Sequence, residues 1–459
     1  MFNLESGLMR SKKETESKSV DEKNVQRAEY FADRIINNEP SDPTALEHET
    51  QYLKMHVQDL LDILAKPQSE NDSELRDNAE RIILKIFKNA EYKDEIQLDS
   101  PPAYRKYADQ YGGVMKKIYS FLALQTLASS GRTIKDYNHL SHYDSKEGGM
   151  GPAVISALEK RDKGEATKYQ IQASNKLLIK ILEEYSLPPE DTISAWKSSG
   201  YTNSGDEIAL GAMQNVEAMR YLESVYPGSA GVLSKQFGIR HFGRYPEKLL
   251  AEQYQERDNC DKPYGVMFSA ISDHNGVFRT AWGDTKFLWE NLKGKYSFRI
   301  FEVGRKFGIG RRLVECNVKY GERHKISFAK FNGHGEKNKI IFGRNDENVF
   351  NVLTRTLFRK SEPTSISSRD LEGGGFKRAK KFFIESPHLI FEACGAGVEN
   401  GIVQKASKIY ETETLGQDYV GSSLPIHPVL DNEGVISSFA TYSKEWEKLA
   451  GRYRKGERI

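Results

Sequence analysis

Three cysteines occur in the 459 residues, Cys260, Cys316 and Cys394. An odd and widely spaced set is neither a disulfide framework nor a zinc ligand set. One of the three has chemical company. Cys394 stands in Glu392-Ala393-Cys394-Gly395, directly after the apolar run 388–392 (HLIFE). His334 stands in Asn332-Gly333-His334-Gly335, directly after the apolar run 326–331 (ISFAKF). The thiolate is the nucleophilic form of cysteine, and an imidazole within reach can take the thiol proton. Gly335 has no Cβ to hold a substrate off the backbone. Its N–H and that of Cys394 could form an oxyanion hole for acyl transfer. A helix beginning near Gly397 would bring its positive end toward the sulfur. Cys260 and Cys316 have no such surroundings and read as small buried hydrophobes.

The elements that must position these groups follow from pattern. Strand-like runs at 266–272 (VMFSAIS), 296–303 (YSFRIFEV), 326–331 and 388–392 alternate with helical stretches such as 311–319 and 377–384. That grammar predicts an α/β domain with a mostly parallel sheet and helices on both faces. Reactive groups collect beyond the carboxyl ends of such strands, where His334 and Cys394 both fall. If their strands are neighbours, imidazole and thiol lie close together.

Ahead of the strands the pattern is helical from about residue 25 to residue 245. Asp42-Pro43 is a helix start, an N-cap acceptor followed by proline at the first helical position. Leu53, Val57, Leu60, Leu61 and Leu64 then share one face. Further apolar stripes run through Ile82, Ile83 and Ile86, through Leu177, Leu178 and Ile181 up to Pro188-Pro189, and through Met213, Val216 and Met219. Such faces belong to helices packed on helices. Residues 11–24 (SKKETESKSVDEKN) are charge-dense and nearly free of apolar side chains, so 1–24 is expected to be disordered. The polar segment 254–262 (YQERDNCDK) marks a change of character. The expected organisation is a disordered 1–24, a helical domain over 25–250 and an α/β domain over 255–459.

Composition narrows the function. Lys and Arg total 67 against 65 Asp and Glu, a formal net charge of +2, which excludes whole-surface capture of nucleic acid. Hydrophobic residues at 38% and aromatics at 11% suffice for a packed core. No stretch approaches the roughly 20 apolar residues that span a bilayer, and the start lacks a secretory signal. The expectation is a cytoplasmic, reducing-compartment protein without a membrane partner.

A strand ending in His-Gly, followed about 60 residues later by a strand ending in Ala-Cys, resembles the caspase-like cysteine peptidases, a clan that includes caspases, metacaspases, clostripain, gingipains, legumain and separase. The resemblance covers roughly residues 260–440. It implies a cysteine endopeptidase acting on polypeptides, with His334 as the catalytic histidine, Cys394 as nucleophile and Gly335 as an oxyanion donor. The residue two before the nucleophile lines the P1 pocket in the family. Here it is Glu392, and Asp273 after the first strand matches a second pocket position. Two carboxylates would favour a cationic P1 side chain, so cleavage after Arg or Lys is expected. No cofactor is required; calcium is known for some metacaspases, but no EF-hand-like spacing occurs. The segment 407–423 (SKIYETETLGQDYVGSS) lies where caspases carry a processing linker, with Lys405 and Lys408 as sites for self-cleavage. The helical region is a candidate surface for a protein partner.

Other readings compete. The fold could serve as a catalytically inactive interaction module. The segment Gly304 to Gly310 (GRKFGIG) follows a strand and opens a helix, as a phosphate loop would, yet lacks the Gly-Lys-Ser/Thr of a P-loop. His139, His142 and Asp144 could ligate a metal but read better as a polar loop. The basic runs at 376–381 and 452–458 read as a solvated helix face and a tail, without the aromatic stacking that nucleic acid would need.

Overall fold

The computed structural model describes residues 19–37, 42–67, 72–89, 113–128, 133–134, 150–198, 208–272, 277–343, 364–419, 426–441 and 443–459. His139, His142, Asp144 and Asp273 lie outside these residues. The chain forms two compact units, Met1–Leu182 and Glu183–Ile459. Among the described residues, no helix is long and apolar enough to cross a membrane.

In the first unit the described elements are helices: α1 (Val20–Ile36), α2 (Pro43–Ala65), α3 (Ser73–Asn89), α4 (Val114–Ala128), α5 (Met150–Asp162) and α6 (Lys168–Glu184). Residues 19–24 depart from the expected disorder. Ser19 accepts from the N–H of Glu22 while the Glu22 carboxylate accepts from the N–H of Ser19, a reciprocal cap that starts α1 inside the charged run. Asp42 caps α2 as its sequence predicts, accepting from the N–H of Ala45 ahead of Pro43. At the other end of α2, the Arg76 guanidinium of α3 donates to the carbonyls of Ile63, Leu64 and Lys66. A cation there satisfies orphan acceptors at the negative end of the helix. Ile82, Ile83 and Ile86 of α3, and Leu177, Leu178 and Ile181 of α6, are buried on one stripe each.

The second unit holds α7 (Pro189–Ser198), α8 (Ile208–Val225), α9 (Ser229–Phe237) and α10 (Glu247–Gln255), then a seven-stranded sheet. Pro188-Pro189 therefore ends one helix and opens the next, proline being well suited to the first helical turn. Five neighbouring strands are parallel: β2 (Ser297–Val303), β1 (Tyr264–Ala270), β3 (Ile326–Asn332), β7 (Phe383–Glu392) and β8 (Glu413–Gln417). Two antiparallel strands, β11 (Ala450–Arg454) and β12 (Glu457–Arg458), complete the β8 edge. A small three-stranded sheet is made by β4 (His334–Glu336), β5 (Lys339–Ile341) and β6 (Ser365–Ser367). A separate pair joins β9 (Ile426–Leu430) to β10 (Ile436–Thr441). Helices α11 (Val277–Leu292), α12 (Lys306–Tyr320), α13 (Ser368–Glu372), α14 (Gly374–Ala379) and α15 (Ile402–Tyr410) lie between strands. The fold is thus α/β with a mostly parallel central sheet.

Register explains how the sheet is packed. Phe301, Phe268, Phe331 and Phe391 are register partners across four strands, with ring centroids 5.7, 5.5 and 5.0 Å apart in turn. Each such pair contributes about 0.5–1.5 kcal/mol beyond its area burial. One residue further along every strand the row is polar: Glu302, Ser269, Asn332 and Glu392. Successive strand residues face opposite sides, so the phenylalanines line one face and the polar row the other.

The helices from α7 to α10 belong to the sheet's unit, so the division by compactness falls at 182/183, ahead of the boundary expected near residue 250. Chemistry ties them there. Glu302 accepts from the backbone N–H of Arg240, from His241 Nδ1 at 2.9 Å and from Tyr245 Oη at 3.0 Å. Gln253 of α10 bonds the backbone of Ile300 in both directions, through its carbonyl at 2.8 Å and its amide at 3.1 Å. β2 is the sheet's outer strand, and this amide satisfies groups that would otherwise invite another chain.

Three sequence expectations fail locally. Residues 413–417 (ETLGQ) form a fully buried interior strand rather than a processing linker. The expected Arg452–Arg458 tail is the β11–β12 hairpin, and Arg452 and Arg454 both reach Glu413, at 3.2 and 2.8 Å. That pairing lets a charged residue sit in a buried strand. The helical stretch expected over 377–384 is α-helical only to Ala379 and tightens to a 3-10 turn over Lys380–Phe382, because Phe383 already begins β7.

Candidate active site

β3 and β7 are neighbours, and Asn332 and Glu392 are register partners at their carboxyl ends. His334 and Cys394 each stand two residues beyond that shared row, so the chain leaves adjacent strands toward one edge. The Gly333 N–H donates back to the Glu392 carbonyl at 3.2 Å, which ties the two exits together.

From there His334, Gly335 and Glu336 form β4 and return through β5. Glu336 and Lys339 flank a two-residue turn and make the first pair of the ladder. Antiparallel pairs alternate between hydrogen-bonded and open, which turns the Gly335 N–H away from β5. β4 is the outer strand of its small sheet, so its edge away from β5 carries no strand partner in that sheet. A Cβ on Gly335 would stand 2.6 Å from both the Ala393 Cβ and the Cys394 carbonyl oxygen. No other residue fits that approach. His334 and Cys394 are both half-buried.

The cysteine turn has its own supports. The Gly395 N–H donates to the Tyr419 carbonyl at 3.0 Å, and the Gly397 N–H to the Gln417 carbonyl at 2.7 Å. Gly395 takes φ +64°, a conformation that glycine adopts without strain. The Lys337 carbonyl at the hairpin tip accepts from the Ile402 N–H at 2.9 Å. The helix expected near Gly397 starts only at Ile402, after the turn 395–401, so its first turn holds the hairpin tip.

Glu392 is placed differently from the expected pocket residue. Its side chain is 3% exposed and pairs at 2.8 Å with Lys330 Nζ, which is wholly buried. Lys330 is the register partner of Ile390, two residues back along β7, so the carboxylate turns into the sheet and away from its edge. Lys330 is the site residue that sequence reading missed. A lysine amid ISFAKFN, in phase with Asn332, is the signal that could have found it. Asp273 lies outside the described residues.

The other candidates sort clearly. Burial pushes the Cys316 thiol up to about 12 and raises that of Cys260 as well, so neither is poised as a nucleophile. The Gly304 segment does link β2 to α12, but Lys306 is committed to Asp370 at 2.8 Å. Burial opposes ionisation of Asp370, yet Lys306 and Ser367 outweigh it and hold the carboxyl below its usual range. Among the described residues, no group of His, Cys, Asp and Glu could hold a metal ion.

Comparison of the chain with protein-family models, with curated proteins and with solved structures gave no match.

Proposed function

We propose that the protein is a cysteine endopeptidase of the caspase-like kind, working through His334 and Cys394. The observation that carries this reading is the contact of Gly335 with Ala393 and Cys394, which puts the residue after the histidine against the cysteine turn. The order of the motifs, histidine first, and their emergence from neighbouring parallel strands agree with it.

In this reading His334 takes the thiol proton, and the Cys394 sulfur attacks the scissile carbonyl carbon. The carbonyl oxygen becomes an oxyanion beside the Gly335 N–H, with the Cys394 N–H as the expected second donor. Collapse of the intermediate expels the amine, which leaves with the proton held on His334, and a thioester remains on Cys394. Water, deprotonated by the same imidazole, attacks the thioester and regenerates the thiol with release of the acid. The preference for Arg or Lys at P1 loses the support of Glu392, whose carboxylate is already paired.

The test uses fluorogenic peptides ending in Arg, Lys, Asp or Asn, with the full chain beside Cys394→Ala and His334→Ala. Turnover that both variants lose supports the reading. No turnover across the panel, together with no labelling of Cys394 by a peptide chloromethylketone, overturns it and leaves an interaction module.

A further inference from the structure

Four lysines converge on one cavity of the first unit. The cavity measures about 290 Å³ and is walled by α2, α4, α5 and the start of α6. Lys54 comes from α2, Lys116 and Lys117 from α4, and Lys160 from α5. All four are half-buried, and among the described residues Asp62 is the single carboxylate in the lining. Lys117 Nζ donates to the neutral Gln58 Oε1 at 3.1 Å, and the Gln58 amide donates to Asp62, so Gln58 stands between that ammonium and the carboxylate. Asp59, on the same helix, pairs with His56 at 3.1 Å.

Like charges held together in a partly desolvated space repel, and a fold tolerates them where a counter-charge binds. Burial, then the ammoniums of Lys54 and Lys160, lower the Lys117 pKa, against a weaker opposing pull from Asp62 and Asp59. An independent sign is Ser120. It lines the cavity at 7% exposure, and its buried hydroxyl has no hydrogen-bond partner. Buried hydroxyls are normally satisfied, so this one is a donor awaiting an acceptor.

We propose that this cavity binds a small polyanion carrying two or more phosphate groups. Among the described residues no arginine lines it. The guanidinium fork recognises planar, bidentate geometry in carboxylate and phosphate alike, whereas several lysines act as point charges that suit a compact, multiply charged phosphate from several directions. The described lining residues carry a net charge of +3, which one monoanion would leave largely uncompensated.

The experiment measures binding of inorganic pyrophosphate and tripolyphosphate to the full chain by calorimetry, with the shift in unfolding temperature read in parallel. Lys117→Gln and Lys160→Gln are the test variants, and Lys23→Gln, an exposed lysine of α1, removes the same charge elsewhere. The expected result is saturable one-to-one binding, weakened about tenfold by each cavity variant and less than about twofold by Lys23→Gln, as for loss of one charge-assisted contact. Ser120→Ala should weaken it as well. A parallel arm uses phosphatidylcholine vesicles doped with phosphatidylinositol bisphosphate. Retention displaced by pyrophosphate assigns the phosphates to a lipid headgroup, and solution binding without retention assigns them to a free molecule. Absent saturation, or equal weakening by Lys23→Gln and the cavity variants, overturns the proposal. A cavity variant that melts higher without ligand still answers the question, because the readout is its ligand-induced shift.

Discussion

The buried Lys330–Glu392 pair sets the sharpest quantitative test. Both side chains are withdrawn from water, at 0 and 3% exposure, with 2.8 Å between Nζ and Oε1. Coulomb attraction at that distance is on the order of 6 kcal/mol at an effective dielectric near 20, before desolvation is subtracted. Most of it offsets the cost of burying two charges. Removing one partner strands the other, which costs about 3–5 kcal/mol, whereas replacing both by apolar groups of similar volume is near neutral. Lys330→Met and Glu392→Leu should each destabilise by that amount, and the double variant should recover most of the loss. A double-mutant cycle isolates this coupling. The four tryptophans, Trp196, Trp282, Trp289 and Trp446, all lie in the second unit, so their fluorescence in urea follows the unit that holds the pair. With an m-value near 3 kcal/mol/M, the single variants should lose ~1–2 M in midpoint. Glu392→Gln, assayed on the peptide panel, should leave the relative rates for Arg, Lys, Asp and Asn peptides in place. Single variants that unfold with the wild type, or a double variant as weak as the sum of the two, would refute the pairing argument. So would selective loss of Arg and Lys turnover in Glu392→Gln with an unchanged midpoint, which would make Glu392 a P1 residue after all.

Gly335→Ala should abolish turnover and cost about 1–3 kcal/mol of stability, since its Cβ would fall 2.6 Å from two atoms of the cysteine turn; peptide assays and urea midpoints check both. Iodoacetamide should modify Cys394 well before Cys260 or Cys316, which burial keeps protonated and enclosed, and peptide mapping at graded times reads the order. Active wild-type protein should keep its full mass, because Lys405 and Lys408 sit inside helix α15 and 413–417 is an interior strand; a cleaved product at either lysine would contradict this. Burial works against ionisation of Glu302, but His241, Arg244 and the Arg240 N–H outweigh it and lower its pKa from 4.5. The stability this contributes is complete above the unfolded value and is lost as pH falls through the lower folded one, so Glu302→Gln should flatten the acid limb of tryptophan-monitored unfolding below about pH 4.5.

Much of this architecture was readable because apolar runs of the right length betray interior parallel strands. The runs at 266–272, 296–303, 326–331 and 388–392 became β1, β2, β3 and the end of β7, within a few residues. For the candidate site the sequence allowed only a condition, that the strands before His334 and Cys394 be neighbours, and β3 and β7 are neighbours. β8 was illegible for a physical reason: Glu413, Thr414 and Gln417 are polar, and what makes them strand residues is pairing with Arg454, Tyr453 and Ala450, a distant stretch of the chain. No local pattern reports a partner so distant. The disorder expected up to residue 24 failed through the opposite neglect, because Ser19 and Glu22 form a cap whose value lies in two specific hydrogen bonds and not in hydrophobicity. Glu392 was read by its offset from Cys394 alone. Lys330, in phase with it one strand away, decides where its carboxylate goes.

The two faces of the sheet divide the labour of holding the candidate site. The row Phe301, Phe268, Phe331 and Phe391 locks neighbouring strands through direct ring contact, so β3 and β7 cannot slide without breaking a 5.0 Å stack. A slip of one residue would also exchange the two faces, burying Asn332 and Glu392 where the rings belong. Register is therefore overdetermined at the last two rows before the chain leaves the sheet. That matters because His334 and Cys394 lie two residues beyond the last register pair of β3 and β7. Their separation is inherited from the Asn332–Glu392 row below them and trimmed by the Gly335 contact above it. Substitutions at Phe331 or Phe391 should then lower turnover through misplacement of the proposed His334–Cys394 dyad, while stability falls by no more than the usual cost of a core truncation, about 3–5 kcal/mol for Phe→Ala.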